Sequence, residues 1–270
     1  MNLETWFETL SSRHFIPPLA RNTMVGFIIT FLITGALLFS YVTCYFLLRK
    51  FRRKIKQQTP YRKFKDLLLV IAHPDDESMF FLPTCTFDGF ETKRLICLSN
   101  GDYNGLGKVR EKELKTVAMD ILGFDSFEIR DFIDGPEETW DLDKISNVIE
   151  SNVKKDTTII TFDEMGVSHH KNHISAYLGA KRLLERRPDL EIFKLHSDSS
   201  ALVKFSSIFG ACLSIYYSNI DFENSFVFVN ADVWLSFRTM KTHYSQFVWY
   251  RRLFIFFARC TYMNVIEKLK

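Results

Sequence analysis

The chain is poor in the features that mark secreted and nucleotide-binding proteins. Its five cysteines, Cys44, Cys85, Cys97, Cys212 and Cys260, are odd in number and show no Cys-x-x-Cys spacing. That argues against a disulfide framework and suits a reducing compartment. No Asn-x-Ser/Thr sequon occurs, in keeping with a cytosolic domain. The glycines form no dinucleotide-binding fingerprint, so no NAD is expected, and no C-terminal Lys-Asp-Glu-Leu signal is present. Internal repeats and low-complexity linkers are missing, which argues against several domains. Net charge is small, +3. The excess sits in one short stretch without a nucleic-acid-binding motif, so no nucleic-acid partner is expected.

Charge itself is missing from Val25 to Leu48, a run long enough to cross a bilayer, which takes roughly 20 apolar residues. The run exceeds the h-region of a signal peptide and lacks a convincing small-residue cleavage site. Arg49, Lys50, Arg52, Arg53, Lys54 and Lys56 follow it, whereas only Arg13 and Arg21 precede it. The positive-inside bias therefore places the carboxyl side in the cytosol. The expected organisation is a short non-cytosolic N-terminus (1–24), one transmembrane helix (25–48), a basic juxtamembrane linker (49–64) and one cytosolic domain (65–270). The basic cluster reads equally as a topology signal or as a rest for anionic headgroups of the bilayer. Cys44 reads as a small apolar residue rather than a palmitoylation site.

Within the domain, Leu67–Ala72, Arg94–Leu98, Phe127–Arg130, Thr157–Phe162 and Glu191–Leu195 are apolar or β-prone, with charged amphipathic stretches between them. The clearest helix is Val109–Leu122, with Leu114, Val117, Ala118, Ile121 and Leu122 on one stripe and Gly123 ending it. This alternation predicts an α/β fold: a Rossmann-like, mostly parallel sheet flanked by helices and preceded by the transmembrane helix.

Two of the strands run into clusters of metal-ligand residues. The first ends in Ala72-His73-Pro74-Asp75-Asp76-Glu77, and the fourth is followed by His169-His170-Lys171-Asn172-His173. Open α/β sheets bind ligands beyond the carboxyl ends of their strands. Either cluster alone is more often a turn or a surface histidine. The two together point to a catalytic metal, because imidazole and carboxylate suit Zn²⁺ and three protein ligands leave one position open. His73, Asp76 and His173 fit that count. Asn100-Gly101-Asp102, after the second strand, is expected at the same sheet edge.

These motifs resemble the PIG-L/LmbE-like zinc deacetylases, and within them the N-acetylglucosaminyl-phosphatidylinositol de-N-acetylases. The likeness rests on Ala72–Glu77, Ser168–His173, Phe162-Asp163, His243-Tyr244-Ser245-Gln246 and Trp249-Tyr250-Arg251-Arg252-Leu253, and it spans about residues 65–262. It implies zinc-dependent amide hydrolysis that releases acetate from a membrane glycolipid, early in glycosylphosphatidylinositol anchor synthesis at the endoplasmic reticulum membrane. Asp75, beside a ligand but not needed as one, is then the expected general base. His170 would stabilise the oxyanion if protonated, or hold a neighbouring carboxylate if not. The chain departs from the pattern at His169, where similar sequences tend to have glycine; spacing favours His170 for the role.

Arg110 matches a substrate-binding arginine position of similar deacetylases, with a helix-surface arginine paired to Glu113 as the alternative. His243, in the matched tail, is a second candidate substrate contact. Phe247, Trp249, Tyr250, Leu253, Phe254, Ile255, Phe256 and Phe257, with Arg251, Arg252 and Arg259 among them, read either as a membrane-interface stretch or as a final core helix, the latter being favoured. Two rival functions are a deacetylase of another amino-sugar conjugate and a non-catalytic glycolipid-binding protein.

Overall fold

The computed structural model describes residues 18–56, 64–217 and 225–270. Residues 1–17 of the expected N-terminal segment and 57–63 of the expected linker lie outside the described residues. The chain divides into two compact units, Met1–Cys44 and Tyr45–Lys270.

The first unit is helical from Pro18, within a helix α1 (Pro18–Lys56) that continues into the second unit. Its Thr23–Lys54 portion is long and apolar enough to cross a membrane. Phe27, Phe31, Leu38 and Phe39 are exposed, as lipid-facing side chains would be. Three of its threonines are satisfied within the helix: Thr30, Thr34 and Thr43 donate to the carbonyls of Gly26, Thr30 and Phe39 at 2.8, 2.7 and 2.9 Å. In hydrocarbon such internal pairing is obligatory. The helix does not stop at the last apolar residue, so Arg49–Lys56 are helical.

The second unit is built on a seven-stranded sheet of order β3-β2-β1-β4-β5-β7-β6. The strands are β1 (Asp66–Ile71), β2 (Thr92–Cys97), β3 (Ser126–Ile129), β4 (Thr157–Thr161), β5 (Glu191–Leu195), β6 (Ser225–Val229) and β7 (Met263–Lys268). β1 to β5 are parallel; β7 runs antiparallel to both β5 and β6. Every residue of β1 and β4 is buried, as expected of central strands covered on both faces. The order turns around between β1 and β4, the switch point at which open α/β sheets bind their ligands.

The parallel strands agree with the sequence reading to within two residues, and β6 and β7 are additions to it. β7 mixes Asn264, Glu267 and Lys268 with Val265 and Ile266, so it shows no clean alternation. Only its antiparallel pairing between β5 and β6 makes it a strand.

At the amino ends of the strands, opposite the switch point, Asp66 ties three strands together. It accepts from Thr92 Oγ1 at 2.6 Å, Thr157 Oγ1 at 2.6 Å and Arg94 Nε at 2.9 Å. Burial raises its pKa, but Arg94 and the two hydroxyls outweigh that and hold the carboxyl below its usual value.

Four helices position the site: α2 (Asp76–Met79), α3 (Gly107–Lys115), α4 (Leu142–Glu150) and α5 (Lys171–Arg186). The expected helix over 109–122 changes character at Thr116, where a π-turn, Thr116–Ile121, takes over. Leu114, Val117, Ala118 and Leu122 are buried as predicted.

Three further helices, α6 (Ser207–Tyr217), α7 (Val233–Thr242) and α8 (Trp249–Phe257), pack beyond the site. The favoured reading of the aromatic tail as a core helix is corrected here. In α8 only Ile255 is buried, whereas Trp249 is 71% and Tyr250 54% exposed. The core position beyond it is filled by β7 instead.

Candidate active site

The side chains after β1 and β4 meet at the switch point. Asp76 Oδ2 accepts from the backbone N–H of Ala72 and His73 at 3.1 and 2.8 Å, which fixes the carboxylate at the mouth of β1. His73 Nδ1 lies 3.8 Å from Asp76 Oδ2 and His173 Nε2 lies 3.4 Å from Asp76 Oδ1. Those are the separations of neighbouring donors on one tetrahedral ion, where ligands about 2.1 Å from the metal lie roughly 3.4 Å apart.

The opposite ring nitrogens are already committed. His173 Nδ1 is 3.0 Å from the Gly166 carbonyl. His73 Nε2 faces two acceptors, Asn172 Oδ1 and Asp134 Oδ1, each at 3.0 Å. In the neutral rings this puts the proton on the far nitrogen and leaves the lone pair facing Asp76, the arrangement by which outer partners orient metal-binding imidazoles.

Gly166 makes this approach possible. Its φ is +54°, and a Cβ there would lie 2.9 Å from that of His173. The turn that carries it is closed by Asp163, which accepts from Ser197 N and Ser197 Oγ at 2.7 and 2.8 Å. His173 is further held by Phe162, whose ring stacks on it at 4.1 Å.

His170 completes a three-histidine group with His73 and His173, their ligand atoms all within 4.8 Å of one another. It also caps α5, its Nδ1 accepting from Asn172 N at 3.3 Å. The proton of the neutral ring must then sit on Nε2. Burial and the neighbouring His173 and His73 push its pKa down to about 4, so the ring is neutral at physiological pH. His169 is exposed and lies outside the group.

The donor set suits a dication. Burial raises the pKa of Asp76, but His173 and His73 outweigh it and hold the carboxyl well below the usual range. Burial lowers that of His73, but Asp134 and Asp76 outweigh it, so the imidazole is raised. A cation entering this cluster of imidazoles and carboxylates would displace a proton rather than meet an uncompensated apolar wall.

Asp75 stands next to the cluster without joining it. Its φ of 123° is far outside the range usual for a side-chain-bearing residue. Such strain persists only where neighbours enforce it. Here Glu77 Oε2 accepts from Asp75 N at 3.1 Å. Arg251 Nη1 forms an ion pair with Asp75 Oδ2, and Arg110 Nη2 lies 3.6 Å from Oδ1.

Arg110 is not the surface residue that a Glu113 pairing would make it. It is buried and donates to the carbonyls of Gly101 at 3.0 Å and Pro74 at 2.8 Å. Glu113 instead accepts from Ser245 N and Oγ. The guanidinium passes so close to Gly101, whose φ is +72°, that a Cβ there would meet it at 2.4 Å. Arg110 thus clamps the Asp75 turn to the loop after β2.

The second candidate substrate contact, His243, is enclosed by the fold. His243 is fully buried, its Nε2 2.6 Å from Glu77 Oε1. It braces Glu77, and through Glu77 the Asp75 turn. Burial disfavours its charge, but the Glu77 carboxylate outweighs this and raises its pKa.

Glu77→Gln is expected to destabilise the fold by roughly 3–5 kcal/mol, the cost of breaking a buried pair from one side; an unchanged melting temperature would show the pair to be idle. A raised histidine stabilises fully below its unfolded pKa of 6.5 and loses that contribution as pH rises through its folded value. Melting temperature should therefore fall as pH rises above 6.5 through the raised folded value, and less so in His243→Phe.

Sequence reasoning missed Asp134, Glu77 and Arg251 as parts of the site. Asp134 and Glu77 carried a signal, since Asp134 follows β3 as the ligand clusters follow β1 and β4, and Glu77 ends the first motif. Arg251 carried none beyond its place in the matched tail.

A family model described as PIG-L, GlcNAc-PI de-N-acetylase, matches residues 68–184. The N-acetylglucosaminyl-phosphatidylinositol de-N-acetylase of Bos taurus is 35% identical over 217 residues, covering 75% of this chain and 83% of its own length. The chain belongs to the PIG-L family of de-N-acetylases. Among solved structures, N,N'-diacetylchitobiose deacetylase from Pyrococcus horikoshii superposes with a TM-score of 0.52 at 15% identity, over 82% of this chain and 92% of that one. A 4-carboxy-2-hydroxymuconate hydratase from Pseudomonas putida superposes with a TM-score of 0.51 at 13% identity, over 77% and 97%. At these identities the likeness is one of fold, and a PIG-L-like fold that carries both a deacetylase and a hydratase leaves the reaction to the site. The PIG-L family model ends at residue 184, so His243 and Arg251 reach the centre from beyond it.

Proposed function

We propose that this deacetylase hydrolyses the N-acetyl group of N-acetylglucosaminyl-phosphatidylinositol, yielding glucosaminyl-phosphatidylinositol and acetate, as an early step of glycosylphosphatidylinositol anchor synthesis. The observation that carries the reading is the convergence of His73, Asp76 and His173 beside a carboxylate, Asp75, that is not part of the ligand set. The name of the cattle relative supplies the substrate.

A zinc ion held by His73, Asp76 and His173 would supply Lewis acidity, lowering the pKa of water and polarising the amide carbonyl. The remaining work falls to the chain. Asp75 takes a proton from the attacking water and passes it to the departing amine nitrogen, so that water and amide become acetate and a free amino sugar. His170, neutral with its proton on Nε2, donates that N–H to the oxygen that gains charge as the carbonyl is attacked. Arg251 and Arg110 orient Asp75, and Arg110 also contacts the inositol phosphate in this reading.

One membrane span, a basic cluster on its carboxyl side and a lipid-linked substrate support single-pass residence in the endoplasmic reticulum membrane with the catalytic unit facing the cytosol.

His170→Ala is expected to lower kcat about 10²–10³-fold with metal content unchanged, the usual effect of removing one oxyanion donor; loss of metal would make His170 a ligand. The function is tested by acetate release from the glycolipid by detergent-solubilised protein, with and without a chelator. Chelator-sensitive release supports the reading. Inactivity with metal bound would redirect it to another amide.

A further inference from the structure

We propose that α8, with the segments that touch it, is a membrane-docking surface of the catalytic unit that lies in the headgroup region of a bilayer. The helix is fastened on one side only. Ile255 is buried, Phe254 meets Phe80 and Phe205 with ring centroids 5.6 and 6.3 Å apart, and Arg251 reaches inward to Asp75. The other side presents Trp249, Tyr250, Leu253, Phe256 and Phe257 to the outside. The segments that touch α8 carry further exposed apolar side chains: Leu202, 86% exposed, precedes Phe205, and Trp234, 76% exposed, meets Phe237, whose ring lies 5.4 Å from that of Phe247. So much exposed aromatic surface is uncommon on a protein whose only solvent is water.

Three observations choose a bilayer over a second protein. The residue types are tryptophan, tyrosine and phenylalanine with arginine among them, the mixture enriched where membrane meets water. Arg252 is exposed among them, and its guanidinium lies 4.7 Å from the Phe247 ring centroid, where it can meet anionic headgroups while its stem covers apolar surface.

The face is also fastened to the carboxyl-terminal end of α1. Within this unit Leu47, Leu48 and Phe51 of α1 line a cleft of about 570 Å³ with Cys212 and Ile215 of α6. α6 in turn is tied to α8 by Ser207 Oγ, which donates to Phe256 O at 2.6 Å. Finally, the helix that would touch lipid carries Arg251, the partner of Asp75. Docking would set the catalytic carboxylate at the headgroup layer, where a lipid-linked amide is found. The surface does not depend on the deacetylase reading, because its contact with lipid is measurable in a protein that turns over nothing.

The test uses the full chain reconstituted in vesicles of phosphatidylcholine and phosphatidylinositol, in which the phosphatidylcholine carries bromine either shallow or deep along its acyl chains. Tryptophan quenching is compared between wild type and Trp249→Phe, a mild change at an exposed position. The expected result is a Trp249 component quenched more by shallow than by deep bromine and lost in the variant. Equal lipid quenching in the two proteins overturns the proposal. In that event, a Trp249 component open to aqueous iodide leaves the face in solvent, and one closed to iodide assigns it to a protein partner.

Discussion

Replacing Asp75 by asparagine should lower kcat about 10²–10⁴-fold, the contribution typical of a positioned general acid–base group, while the protein keeps its metal. The expectation rests on three features of the turn. Asp75 makes no contact with His73 or His173 among those that define the cluster, so the ligand atoms lose nothing. Asparagine tolerates positive φ better than most residues, so a backbone at 123° is retained. The amide can still accept from Arg251, but it cannot take a proton from water.

Some stability should go, because Arg251 and Arg110 lose a charged partner. Arg110 keeps its carbonyl acceptors and Asp134 at 3.7 Å, so the loss should be roughly 1–3 kcal/mol. Acetate release, metal analysis and a thermal melt on one preparation decide the matter. Metal loss would make Asp75 a ligand, and retained turnover would move the base elsewhere.

The second large effect is expected of His173→Ala, which should lose both the metal and the activity. His173 alone aligns Nε2 with Asp76 while its other nitrogen is tied to Gly166 O at 3.0 Å, and its ring is clamped against Phe162. Alanine removes a ligand and leaves a void beside Phe162. A metal bound to the native state stabilises it by mass action, about 2.7 kcal/mol at a concentration one hundred times Kd. A chelator should therefore lower the melting temperature of wild type and leave that of the variant unchanged. Stoichiometric zinc in His173→Ala would overturn the ligand set and leave His73, Asp76 and His170 to hold the ion.

The docking surface and the buried Glu77–His243 pair act on the same turn from opposite sides. Arg251 holds the carboxylate of Asp75 from α8, and Glu77 holds its backbone from beneath. A substitution in either is expected to change turnover without touching a ligand, which is why metal content has to be read beside activity in every variant.

The sequence by itself determined the elements whose signals are local. Charge-free length marked a helix long and apolar enough to cross a membrane. Runs of buried apolar residues marked β1 to β5, because a central parallel strand needs apolar side chains on both faces. The ligand clusters were legible because each stands directly after such a strand, and the carboxyl ends of neighbouring parallel strands lie together.

Tertiary structure decided what depends on contacts between distant segments. Arg251 meets Asp75 across 176 positions and His243 meets Glu77 across 166, separations at which no periodicity carries information. His243 was legible as a chemical group but not as a buried one, since the same imidazole serves a surface or a core according to what closes over it. The aromatic helix is the converse case. Its composition suited core and membrane interface alike, and only the seating of β7 in the sheet, with Ile255 buried and Phe254 against Phe80, left Trp249, Tyr250, Phe256 and Phe257 on the outside.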